Sequence, residues 1–148
     1  AAGGIWDRND IEKIMDLGAD AVQMGTRFIG TYECDASPVL KQVLLDSKEE
    51  DIVIVSSPVG YPGRAVKTNL IKTLEPDTKK IKCISNCIFP CNKGEGARRV
   101  GYCIADSLGD AYLGRLQSGL FFSGANGYKL KEIVHVKDLI DELMTDVK

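Results

Sequence analysis

The sequence predicts an α/β chain: the last two βα units of a (β/α)8 barrel, followed by a mostly helical C-terminal extension. Ala1-Ala2-Gly3-Gly4-Ile5 and Gln23-Met24-Gly25-Thr26-Arg27-Phe28 each end an apolar run in glycine. They stand one helix and one strand apart, the repeat of a βα unit. Farther along, apolar residues recur at helical spacing in several separate stretches. On this reading residues 1–35 are the end of the barrel. Residues 36–148 are a barrel-closing helix and the extension, with a cysteine-bearing segment at 77–103.

Residues 6–17 read as the helix of the first unit. Asn9 offers an N-cap with Glu12 three residues on, close to a capping box. Ile11, Ile14 and Met15 supply the helical spacing and Gly18 the stop. Ala19 to Met24 then reads as a short buried strand ending at Gly25. Ser37-Pro38 opens the next helix, a cap followed by proline at the first helical position, with Val39, Leu40, Val43 and Leu44 on its buried face. Residues 51–55 are β-branched and read as a strand. The stretch 56–63, carrying Pro58, Gly60, Pro62 and Gly63, reads as an irregular loop, and 66–74 as a short helix closed by Pro76.

Residues 77–100 are polar and basic, and no regular structure is expected of them. Residues 102–113, apolar at 104, 105, 108, 111 and 112, read as a helix. A brief apolar segment between glycines follows at 119–124. The final helix places Val136, Leu139, Ile140, Leu143 and Val147 on one face, opposite Lys137, Asp138, Asp141 and Glu142.

Length suits one domain with a sizeable core. The formal charge is −2, from 19 basic and 21 acidic side chains well mixed, so no field draws in nucleic acid or an anionic membrane. No apolar run approaches the roughly 20 residues that a bilayer needs. With no charged-then-apolar leader at the start, the expected location is the cytoplasm. Five cysteines, an odd number, argue for thiols or metal ligands rather than a disulfide frame. The chain opens inside Ala-Ala-Gly-Gly-Ile without Met, which reads as a cut through a larger protein. A strand so short is expected to need neighbours, from upstream sequence or from partner chains as in a homo-oligomer.

Glycine at the end of a strand exposes bare backbone N–H groups, natural ligands for a phosphate, and a hydroxyl such as that of Thr26 adds a donor. In a (β/α)8 barrel such a site forms in the loops after the seventh and eighth strands. The plain alternative is that Gly3, Gly4 and Gly25 only turn the chain. Arg64 and Lys67 invite a phosphate or nucleotide role beside the 60–63 loop, although basic residues in such a loop are commonly solvated.

The glycine turns, with Gly18-Ala19-Asp20-Ala21-Val22 between them, resemble the end of the barrel in the nitronate monooxygenase family, once called 2-nitropropane dioxygenases. That family includes the FMN-dependent enoyl-acyl-carrier-protein reductases. The resemblance extends through Gly63-Arg64-Ala65-Val66 with Asn69, Tyr102-Cys103-Ile104, residues 119–126 and the closing Val136 to Leu143. It implies a flavin oxidoreductase with FMN across the top of the barrel. Gly4, Gln23, Met24, Gly25 and Thr26 match the family's FMN-contacting residues, and Gly3 is their neighbour. NAD(P)H is the implied electron donor. Reduced flavin then gives a hydride to an activated double bond of an enoyl thioester, or reacts with oxygen and a nitronate. No catalytic residue transfers, because the family's catalytic histidine belongs to earlier strands. His135, the only histidine, reads as a surface or capping residue. The 148 residues alone are expected to be colourless and inactive.

Two alternatives stand beside this reading. The glycine pair, helix and Met-Gly-Thr turn are also similar to the phosphate site of inosine-monophosphate-dehydrogenase barrels. Cys83, Cys87, Cys91 and Cys103 suggest a metal-binding or interaction module, with four thiolates able to hold zinc or an iron–sulfur cluster. Their spacing matches no standard site, so structural thiols are the plainer reading, and Cys34 is a lone thiol. Phe121, Phe122 and Tyr128 are expected as core beneath the last helix, or as a lid over a flavin edge.

Overall fold

A computed structural model describes residues 1–74, 84, 87, 91 and 101–145. The first helix, α1, spans Arg8–Asp16. It starts earlier than Asn9 because Asp7 and Asp10 cap it reciprocally: Asp10 N–H donates to Asp7 Oδ1 at 3.0 Å, and Trp6 N–H donates to Asp10 Oδ2 at 2.9 Å. Carboxylates suit this end better than an amide, since the helix presents its positive pole there. Gly18, at φ +95°, closes the helix. Its N–H reaches Met15 O and that of Ala19 reaches Ile14 O, the paired bonds of a glycine-terminated helix.

The strand expected at 19–24 is reduced to one parallel bridge, Ala2 with Gln23. A parallel strand needs paired neighbours along its length, and two residues supply only one bridge. The short helix α2, Thr26–Ile29, follows at once. Helix α3, Pro38–Asp46, begins as expected, with Ser37 Oγ accepting from Leu40 N–H. Its Leu44 is fully buried while Val39 lies at the surface.

Strand β1, Ile52–Val55, pairs antiparallel with β2, Gly63–Val66, in the register Ile52 to Val66 through Val55 to Gly63. The second strand was not expected, and it delays the following helix, α4, to Asn69–Thr73. Its far edge is taken by residues 121–123: Val66 N–H donates to Phe121 O at 2.9 Å and Ser123 N–H to Arg64 O at 3.0 Å. That partner is distant in sequence, so local pattern does not announce the strand.

Helix α5, Ile104–Tyr112, buries Ser107, Asp110 and Ala111, and leaves Leu108 and Tyr112 exposed. The expected apolar face is therefore turned. Ser107 O accepts Leu120 N–H at 2.8 Å, and Arg115 pairs with Asp110 at 2.7 Å. The Ser118 hydroxyl and the Arg115 guanidinium hold Asp110 below the usual carboxylate range. Helix α6, Val136–Met144, buries Leu139 and Leu143 but leaves Ile140 exposed, and Val147 lies outside the described residues.

One core gathers Trp6, Leu44, Val66, Ala111, Phe121 and Leu130. A second joins Val55, Ala65, Tyr102 and Leu120. Phe121→Ala is expected to cost about 3–5 kcal/mol in urea unfolding, the range for emptying a phenylalanine site. A loss below about 1 kcal/mol would show that its site collapses freely. Tyr102 is buried, donates its hydroxyl to Ser56 O at 2.8 Å, and has its pKa pushed up from 10.0 to about 12 by burial. Folding thus favours the neutral phenol: its contribution is whole below pH 10 and is lost as the pH rises toward about 12. The urea midpoint should fall across that window, and Tyr102→Phe should flatten the fall.

Candidate functional site

The two glycine turns meet because the Ala2–Gln23 bridge sets their strands side by side, with Gln23 N–H donating to Ala1 O at 2.8 Å. Gly3 and Gly4 lie at φ +86° and +74°, where a side chain would be strained. A Cβ built on Gly3, Gly4 or Gly25 would meet nothing within 4 Å. These backbones border open space rather than packed protein. That space is a cavity of about 110 Å³. A water in the liquid takes about 30 Å³, so the cavity admits a small polyatomic group.

All six residues picked out by the sequence, Gly3, Gly4, Gln23, Met24, Gly25 and Thr26, line this cavity. Six further residues line it that were not named as binding residues: Ile5, Trp6, Arg27, Gly124, Asn126 and Gly127. Three of them come from the tail, and two of those bond to the turns. Gly124 N–H donates to Thr26 Oγ1 at 2.8 Å, and Asn126 Nδ2 donates to Gly4 O at 2.5 Å. Because the Thr26 oxygen accepts from Gly124, its own proton remains available to an acceptor in the cavity. Glycine at 127 eases this close approach, since a Cβ there would stand 1.9 Å from Ser123 Oγ and 3.3 Å from Thr26 Cγ2.

Arg27 supplies positive charge. Its side chain is only 13% exposed, its Nη2 donates to both carboxylate oxygens of Glu142 at 2.6 and 2.7 Å, and its Cζ lies 4.9 Å from the Trp6 ring centroid. Its Nε is buried with no hydrogen-bond partner among the described residues. A glycine cradle and a free hydroxyl proton, with Arg27 in the lining, form a donor set suited to a phosphate dianion.

Gly25 and Thr26 also border a second, larger cleft of about 570 Å³. This volume lies within the range of small-molecule sites. Ile29, Val59, Ile104 and Phe122 make its walls largely apolar, and Ser57 and Tyr61 add hydroxyls. Phe121 and Phe122 thus part company: the first is core, and the second is half-buried on the cleft wall. Arg64 lies along the cleft, whereas Lys67 is exposed and lines neither cavity.

His135 takes the N-cap position of α6, its side chain 62% exposed and its Nδ1 3.1 Å from Glu33 Oε1. The cap itself is Glu33, whose Oε2 accepts Val136 N–H at 3.0 Å. That backbone donor first, and His135 second, lower the Glu33 pKa. Among the described residues no three of His, Cys, Asp or Glu are grouped to hold a metal ion. Cys83, and most of the 77–100 segment around it, lies outside the described residues. No helix among the described residues is long and apolar enough to cross a membrane.

A sequence model of the family described as nitronate monooxygenase matches residues 1–146. A probable nitronate monooxygenase of Staphylococcus saprophyticus is 41% identical over 71 residues, covering 48% of this chain and 20% of the relative. One of Staphylococcus haemolyticus is 37% identical over 75 residues, covering 51% and 21%. In structure the chain is similar to FabK from Thermotoga maritima, with a TM-score of 0.69 at 27% identity, covering 97% of this chain and 42% of FabK. A FabK mutant from the same organism gives 0.70 at 27% identity, covering 99% and 39%. The chain thus spans about a fifth of the curated relatives and about two fifths of the FabK chains.

Proposed function

We infer the function from one premise: the chain belongs to the nitronate monooxygenase family. Within a flavin oxidoreductase of that family, this chain holds the phosphate end of FMN, with Gly3, Gly4, Gln23, Met24, Gly25 and Thr26 as the binding residues. The observation that supports this most is the meeting of those six residues around one 110 Å³ cavity whose glycine walls face open space.

FMN, when bound, supplies hydride and electron transfer at its ring. The chain's part is to anchor and exclude. Backbone N–H groups of the glycine turns and the Thr26 hydroxyl proton would take up the phosphate oxygens. Gly25 and Thr26, which border both cavities, would then direct the rest of the molecule toward the apolar cleft. The cleft's apolar walls, Phe122 among them, would keep water from the reacting centre. NAD(P)H is the proposed electron donor. The substrate is a small nitronate in keeping with the family, or an enoyl thioester in keeping with the likeness to FabK. No residue of this chain is assigned the proton-transfer step, and His135 lines neither cavity.

Titrating the chain with FMN and with riboflavin, which differ only in the phosphate, tests the anchor. FMN should bind at least about tenfold more tightly and should be displaced by inorganic phosphate. Gly25→Val should abolish that advantage, since its side chain would occupy the cavity. Thr26→Ala should weaken FMN by about tenfold, the effect of one hydrogen bond to a charged group. Equal affinity for FMN and riboflavin would refute the assignment.

A further inference from the structure

We propose that Glu142 on α6 is a positioning residue for the phosphate site, acting through Arg27; this rests on the phosphate reading above. The side chain of Arg27 is largely buried, whereas that of Glu142 is 53% exposed and 115 residues away in sequence. A buried guanidinium is costly to leave without a counter-charge. Here the carboxylate takes both its bonds from a single nitrogen, Nη2. That end-on grip leaves Nε, which is buried, without a hydrogen-bond partner among the described residues. It also holds the guanidinium over the Trp6 ring, with Cζ 4.9 Å from the centroid.

Arg27 directly follows Thr26, and Trp6 follows Gly3-Gly4-Ile5. The contact of Arg27 with Trp6 therefore links the chain just after one glycine turn to the chain just after the other, and both residues line the cavity. Glu142 fixes this packing from outside. It lines neither cavity itself. Without the carboxylate, Arg27 gains by moving its charge to water, which uncovers Trp6 and unseats the first glycine turn. The loss falls on the phosphate end of the ligand, because Arg27, Trp6 and the first glycine turn do not line the apolar cleft.

Glu142 could instead serve only to neutralise Arg27, and the two roles give opposite signs. If it positions, Glu142→Gln weakens FMN by about tenfold and inorganic phosphate in parallel, with riboflavin unchanged within about twofold. If it only neutralises, Glu142→Gln frees the cation and FMN binds more tightly, which would overturn the proposal. Unchanged FMN affinity, or an equal loss for riboflavin, would overturn it too. Arg27→Lys provides a second test. An ammonium keeps the charge but cannot stack flat on Trp6 while meeting both oxygens, so the same FMN-specific loss is expected, and wild-type affinity would contradict it. Glu142→Asp should recover part of the loss. Should the unsubstituted chain fail to prefer FMN over riboflavin, the phosphate reading falls and takes this proposal with it. A preserved preference that Glu142→Gln leaves untouched removes only the proposal.

Discussion

The hydrogen bond from Gly124 N–H to Thr26 Oγ1 is the contact on which the rest of the arrangement depends. It ties the second glycine turn to a segment 98 residues further on and uses the Thr26 oxygen as acceptor, leaving the hydroxyl proton to be donated. Asn126 does the same for the first turn through Gly4 O. Gly127 lies close behind both ties, where an added Cβ would displace Ser123 Oγ and press on Thr26 Cγ2. The cradle is thus a three-sided structure: two turns from the start of the chain and one from the tail.

The tail is held there by the packing behind it. Phe121 lies in the core with Leu44, Leu130 and Trp6, while residues 121–123 bond to the edge of β2. These positions leave Phe122 on the cleft wall and Ser123 to Gly127 against the glycine turns. Apolar burial supplies the driving force, and the backbone bonds set the register. The same few residues therefore belong to the core, to the sheet edge and to the rims of two cavities. A change in any of them is felt at the site.

Charge is used sparingly. Arg27, largely buried, is the one cation in the lining of the small cavity, and it is paired with the Glu142 carboxylate. This arrangement keeps the guanidinium in place through Nη2 alone. It also joins α6 to the glycine turns, so the last helix is bound both by Leu139 and Leu143 in its interface and by Glu142 at the surface. Glu33 adds a third hold by capping the first free N–H of the same helix.

The sequence by itself determined the local features. Ser37-Pro38 as a helix start, Gly18 as a helix stop and the β-branched run at β1 each depend on neighbours within a few residues, and each was legible. The two glycine turns were legible as turns for the same reason, and the structure sets their six named residues around one cavity. Tertiary structure alone decided the rest. Strand β2 exists through its partners at 52–55 and 121–123. The apolar face read from α5 was turned by Asp110 pairing with Arg115 and by Ser107 receiving Leu120, bonds that hydrophobic periodicity does not encode. Arg27, Gly124 and Asn126 entered the site through contacts spanning 98 to 122 residues. A side chain's chemistry is written in the sequence, but which distant group it meets is settled only when the core closes.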